Sequence, residues 1–372
     1  MKKILLSISL VMLFVLLTGC KKDNANNPGT SDTVTPTAQP TVTVPVEGTS
    51  PGVTVAPTET LTVQDYFPFQ VDTEYVYEGE GNEFAAMNVW TDYADSNSSR
   101  IQTRADNGGS EIVKVIEIKD GKLTLITSVG ECYYRDNLLD TEASDKSEVL
   151  LMEPLVKGTQ WTLPDNSKRY ISNTEVSVET PLGTYQALEV TTEGTDHKTI
   201  DYYAPNKGLI KTVYQSAVSE ISSTLKEIKL NTSFTQVVEL YYPDQDEKIY
   251  PKQKTLSFYT NDNTGTVMEE AVRGDLAKDT SLPLISANTA INSLYLGTDK
   301  IVYIDFSKEL ITDMNAGAGY EALILQSITN TLGNYYGVQE VAITVDGKPY
   351  ESGHILLKEG ETIKVNMDNV IR

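Results

Sequence analysis

The chain has 372 residues, 40% of them apolar and 22% charged, with a formal net charge of −22. A chain of that length forms two or three domains, each large enough to bury its own core. Its 52 acidic residues against 30 basic ones exclude nucleic acid and broad contact with anionic lipid, both of which such a surface repels. With two cysteines, Cys20 and Cys132, and two histidines, His197 and His354, thiol–imidazole chemistry would need a chance meeting of distant segments.

Residues 1–19 read as an export signal. Lys2-Lys3 is the charged start, and Ile4 to Leu17 is an apolar run too short to span a membrane and then stop. The run ends Leu17-Thr18-Gly19-Cys20, which resembles the lipobox of bacterial lipoproteins. That resemblance implies cleavage before Cys20 and a lipid on its thiol. The membrane is then a partner through Cys20, and the protein sits on the extracytoplasmic face of the bacterial cell membrane. Acyl chains contribute about 0.8 kcal/mol per buried methylene, so two or three of them hold a protein durably.

Residues 20–60 form a Thr/Pro-rich linker, TPTAQPTVTVPVEGTSPGVTVAPTET, with few bulky apolar side chains. Without a core to offset its ordering entropy it stays extended, at about 3.1 Å per residue, and could reach on the order of 100 Å.

Residues 61–230 read as an antiparallel β domain, a curved sheet or half-barrel. Short alternating runs cover Glu74–Glu78, Asn88–Tyr93, Ile112–Ile118, Leu123–Val129, Tyr170–Ser172, Glu175–Glu179, Tyr185–Thr191, Thr199–Tyr203 and Leu209–Tyr214. The one stretch with a helical stripe is Lys146–Leu155. Cys132 falls in a strand-like run and reads as a buried structural thiol. The 21 tyrosines suit half-buried strand positions better than an exposed sugar-stacking row.

Residues 231–372 mix helix and strand. Strands are expected over 237–244, Thr255–Tyr259, Asn292–Leu296, Ile301–Phe306 and Val341–Val345, with a hairpin at Gly297–Lys300. A capping box from Thr266 to Glu269 opens a first helix that carries Leu276 on its apolar side. A second helix, Tyr320 to Tyr335, buries Ile324, Ile328 and Leu332 at helical spacing. One or two helices on one face of a small mixed α/β sheet is the simplest packing.

Over about 235–358 this order resembles the GerMN domain, the sporulation and spore-germination module of bacterial envelope lipoproteins. The matching segments are LYYPD (240–244), VMEEAVRGD (267–275), YIDFS (303–307), QSITNTL (326–332), GVQEVAITVDGK (337–348) and GH (353–354). The resemblance singles out Asp305, Phe306, Ser307, Asn330, Gly337, Val338, Asp346, Gly347 and His354 as structural or binding positions. It implies a non-enzymatic α/β module resembling ring-building motifs, whose partners are envelope or sporulation proteins. Two departures are visible: Gly274-Asp275 stands where the family often has Gly-Pro, and there is one such domain where germination proteins often carry two.

The residues supply little catalytic chemistry. Asp305, Glu309 and Asp313 could pair for glycoside cleavage, although capping the turn after the strand suits Asp305 and Ser307 better. An EF-hand alignment of 260–271 fails at both essential acids, Thr260 and Ala271. Asp244 and Asp246 suit a turn better than calcium, and His354 reads as a hydrogen-bonded side chain that holds its loop. No metal and no cofactor are expected. The alternative to a binding module is a wall-active hydrolase, or a lipoprotein that binds a solute or peptidoglycan.

Overall fold

The computed structural model describes residues 60–244, 246–273 and 283–371. The lipobox with Cys20, the linker and Leu276 lie outside the described residues. One helical turn, α1 (Val63–Tyr66), leads into twelve strands. They are β1 (Thr73–Glu80), β2 (Met87–Asp95), β3 (Arg100–Asp106), β4 (Glu111–Lys119), β5 (Lys122–Gly130), β6 (Glu148–Met152), β7 (Gln160–Thr162), β8 (Lys168–Thr180), β9 (Gly183–Glu193), β10 (His197–Ala204), β11 (Gly208–Ser216) and β12 (Glu220–Leu230). Their order in the sheet is β6-β5-β4-β3-β2-β1-β12-β11-β10-β9-β8-β7. Two antiparallel meanders therefore grow outward from the central pairing of the first strand with the last.

The sheet curls until its two edges meet. Trp161 Nε1 and Arg169 Nη1, from β7 and β8, both donate to the Val149 carbonyl of β6, at 2.9 and 2.8 Å. Arg169 also pairs with Glu148 at 2.6 Å. Inside the curl, Ile101, Ile116 and Leu123 from one meander pack with Ile171, Leu188 and Val190 from the other. The curved antiparallel sheet expected from the alternating runs is what forms, with three additions and one correction. Strands β3, β7 and β12 were not legible, and Lys146–Leu155 holds strand β6 in place of a helix. Its apolar run, Val149–Met152, is short and fits a buried strand as well as a helix. Here Leu151 is fully buried and pairs with Leu123.

The C-terminal part starts with the hairpin β13 (Phe234–Pro243) and β14 (Ile249–Phe258), then α2 (Thr264–Arg273). The rest is β15 (Ile291–Leu296), β16 (Val302–Phe306), α3 (Glu309–Thr312), α4 (Ala318–Tyr336), β17 (Glu340–Val345), β18 (Lys348–Pro349) and β19 (Ile363–Lys364). Strands β16 and β17 are parallel, with α4 as the crossover between them, and the other pairings of this five-stranded sheet are antiparallel. Ile324, Ile328 and Leu332 of α4 are buried against it, as their spacing predicts. Helix α2 starts two residues before the expected cap. The Asn263 side chain accepts the Thr266 amide at 3.1 Å, while Glu269 pairs with Arg273 at 2.7 Å and takes the Ile291 amide at 2.5 Å. Asparagine is the stronger cap, so Thr266 falls inside the first turn.

The C-terminal part packs on the outer face of β2–β4. A bulge at Asp92 (Thr91 pairs Thr103, Tyr93 pairs Gln102) turns Asp92 outward. There its carboxylate meets Arg104 at 3.1 Å and Arg135 at 3.8 Å, all three side chains being fully buried. The Arg135 guanidinium donates to Tyr93 Oη at 2.8 Å and to the carbonyls of Asp92 (2.7 Å), Tyr259 (3.1 Å) and Asp262. It also lies over the rings of Tyr93 and Phe258, 4.1 and 4.8 Å from their centroids. Arg104 donates to Glu111 at 2.7 Å and to the carbonyls of Cys132 (2.5 Å) and Tyr134 (2.7 Å). Burial opposes the Arg104 charge, and Asp92 and Glu111 outweigh it, so its pKa rises. Cys132 is correspondingly not in a strand. It lies in the segment after β5, buried and free.

Candidate functional site

The carboxyl ends of β16 and β17 bring together most of the sequence-singled residues. Ends of parallel strands are where open α/β sheets leave a crevice. Asp305 accepts from Asn292 Nδ2 (2.8 Å), Thr344 Oγ1 (2.6 Å) and the Gly347 amide (2.8 Å). Partial burial alone would raise its pKa, but these three donors outweigh it and hold the carboxyl below its usual range. Asp346 and Gly347, at φ 49° and 73°, form the two-residue turn from β17 to β18. Asp-Gly is favoured there because both positions need positive φ. The Asp346 amide reaches back to the Phe306 carbonyl at 2.8 Å, and the Phe306 ring sits in the core.

Ser307 exchanges two bonds with Ala290. Its amide donates to the Ala290 carbonyl at 2.9 Å and its Oγ accepts the Ala290 amide at 3.0 Å. Asp313 accepts from Asn288 Nδ2 at 2.8 Å and Ser286 Oγ at 3.1 Å. The Asn288 bond and its companions hold Asp313 below the usual range, and the Ser307 hydroxyl does the same for Glu309. The three acids weighed for hydrolysis are thus tied to turn and cap donors.

The other singled residues lie apart. Asn330 is buried mid-helix in α4, donating to the Asn366 carbonyl at 2.7 Å and accepting the Asn366 amide at 3.0 Å. It fixes the returning C-terminal segment. Gly337 ends α4 at φ 68°, and buried Val338 donates its amide to the Gly333 carbonyl at 2.9 Å. His354 corrects the expectation of a ring that holds its loop. The imidazole is exposed, and it is the backbone amide that bonds, to Ser352 Oγ at 3.0 Å. Similarly, Asp244 Oδ1 takes the amides of Asp246 and Lys248, at 2.9 and 3.0 Å, in the turn before β14.

His354 rims a crevice of about 210 Å³ between α3, the first turn of α4 and 350–354. At its base Glu321, almost fully buried, accepts from Tyr350 Oη at 2.8 Å and from Ser352 Oγ. Sequence reading passed over Glu321. The signal was there, because Glu321 precedes Leu325, Ile328 and Leu332 on the stripe that α4 buries.

Residues 239–351 match the family model Germane, described as sporulation and spore germination. Among solved structures, the chain is similar to the first GerMN domain of the sporulation protein GerM from Bacillus subtilis. The identity is 22% and the TM-score 0.26, over 33% of this chain and 94% of that one. It is similar to the tandem GerMN domains of the same protein at 21% identity and TM-score 0.26, over 34% of this chain. The chain spans 45% of the length of that tandem structure. A Bacteroides fragilis protein with a YmcC-like fold, assigned as exported, is similar at 14% identity and TM-score 0.29, over 44% of this chain and 98% of that one. No curated protein matches the chain. The family match and the strand–helix–strand order of 302–345 make the C-terminal part a GerMN-like module.

Proposed function

We propose that the protein is a lipid-anchored, non-catalytic module of the bacterial envelope that binds or assembles other envelope proteins during sporulation or spore germination. The match of 239–351 to the Germane family is the observation that carries this reading. Two features of the geometry support it. The acids at the carboxyl end of β16 hold turns and sit below their usual range, which suits scaffolding better than proton donation by these three groups. The buried arginines Arg135 and Arg104 contact the module from the curled sheet, and Asp346 and His354 are both exposed. The anchor rests on the Leu17–Cys20 lipobox. Among the described residues no helix is long and apolar enough to cross a membrane.

A photoreactive residue placed at Asp346 in the intact cell-surface protein tests the reading. Cross-links to envelope proteins from this position, and none from Leu182 on the exposed β8–β9 turn, are the expected result. No protein cross-link at Asp346, or the same set from both positions, overturns it.

A further inference from the structure

The curled sheet encloses a cavity that the GerMN-like module does not touch, with a volume of about 160 Å³. It lies between the Phe67-Pro68 segment, the inner faces of β1–β5 and the β10–β11 turn. Met87, Val89, Ile101 and Ile116 are among its walls. Two polar groups on the wall are already engaged: Tyr77 Oη donates to the Leu209 carbonyl and Thr91 Oγ1 to the Gln70 carbonyl, both at 2.8 Å. An apolar cavity of about 150 Å³ takes a molecule the size of benzene.

The wall holds two charged residues, Lys114 and Lys207, and no acid, in a chain of net charge −22. Both lysines are partly exposed, and neither has an ion-pair partner among the described residues. Asp201, an acid within electrostatic reach of Lys114, is pushed up by burial and held by Thr212 Oγ1 at 2.8 Å.

We propose that this cavity is a binding site for a small amphiphilic anion, with an apolar tail of about one ring or a few methylenes inside and an acidic head group at Lys114 and Lys207. The volume is too small for a whole lipid chain, so the ligand is either a short free acid or the end of a longer acyl chain. Apolar burial predicts an affinity that rises about fourfold per added methylene until the cavity is full, then levels off.

The test uses residues 59–372, which form one compact unit, titrated with hexanoate, hexanol and hexylammonium by calorimetry. Hexanoate should bind at least tenfold more tightly than hexanol, and hexylammonium more weakly than either. Lys114→Gln with Lys207→Gln should bring hexanoate down to the hexanol value, and Ala105→Phe should abolish both. Equal binding of hexanoate and hexylammonium, or no binding of any of the three, overturns the proposal. Both those readouts use the unaltered protein, so a variant that fails to fold does not obscure them. Capture on phosphatidylglycerol vesicles that Ala105→Phe removes assigns the tail to a lipid, and hexanoate binding without such capture assigns it to a free acid.

Discussion

The backbone amide of Arg135 donates to the phenolic oxygen of Tyr335 at 3.0 Å, joining the segment after β5 to the last turn of α4. With the guanidinium bonds of the same residue, this ties the GerMN-like module to the sheet through a fully buried arginine side chain. Arg135→Met takes one donor from the carbonyls of Asp92, Tyr259 and Asp262 and removes a share of the charge that faces the buried Asp92 carboxylate. Breaking one partner of a buried charged cluster costs about 3–5 kcal/mol. Urea unfolding of the variant should show that loss as a lower midpoint. Arg135→Lys should fail to restore it, because an ammonium cannot reproduce the planar fork or lie over Tyr93 and Phe258 in the same way.

Asp305 gives a pH-dependent prediction. Its folded pKa lies below the unfolded value of about 3.9. Its contribution is therefore present above the unfolded pKa and is lost as pH falls through the folded one. Asp305→Asn should be less stable than the parent at neutral pH, and the gap should close in the acid range below about pH 4. The site is largely open to solvent, so the gap should be modest and reduced by salt. Thermal melts of both proteins from pH 7 to pH 2.5 check this.

Gly337 ends α4 in the left-handed region at φ 68°. A side chain there costs roughly 1–2 kcal/mol from contact between Cβ and the backbone. Gly337→Ala should lose that amount of stability in denaturant titrations, while Gly337→Asn, which tolerates the left-handed region better, should lose less.

Cys132 is 2% exposed, and burial pushes its thiol pKa up. Both effects suppress the reactive thiolate. The folded chain of 59–372 should not react with a thiol-specific disulfide reagent over the time in which the urea-unfolded chain is fully labelled. Rapid labelling of the folded chain would mean that the segment 131–141 opens.

Much of the architecture was legible because its buried positions are apolar and periodic. Helix α4 showed itself through Ile324, Ile328 and Leu332, and β16 and β17 through their alternation. Strand β3 was missed for the reason that makes it important. Its outward positions carry Gln102 and Arg104, buried polar groups that meet Asp92 and break the apolar alternation. In β12 the buried Ser222 and Thr224 had the same effect. For the candidate site, Asp305 and the Asp346-Gly347 turn were named separately, but their hydrogen bond spans 42 residues and follows from strand pairing that local pattern does not encode. Glu321 and Arg135 were passed over because charged residues read as surface until their partners are known.

The measurement that bears most directly on this account is calorimetric unfolding of residues 59–372. If the buried arginines join sheet and module into one body, heat produces a single transition with equal calorimetric and van't Hoff enthalpies. In that case residues 231–372 cut out alone, with Phe234, Phe258, Tyr335 and Tyr336 uncovered, melt at a much lower temperature than the whole. Two resolved transitions, or an isolated 231–372 fragment that melts at an unchanged temperature, would contradict it.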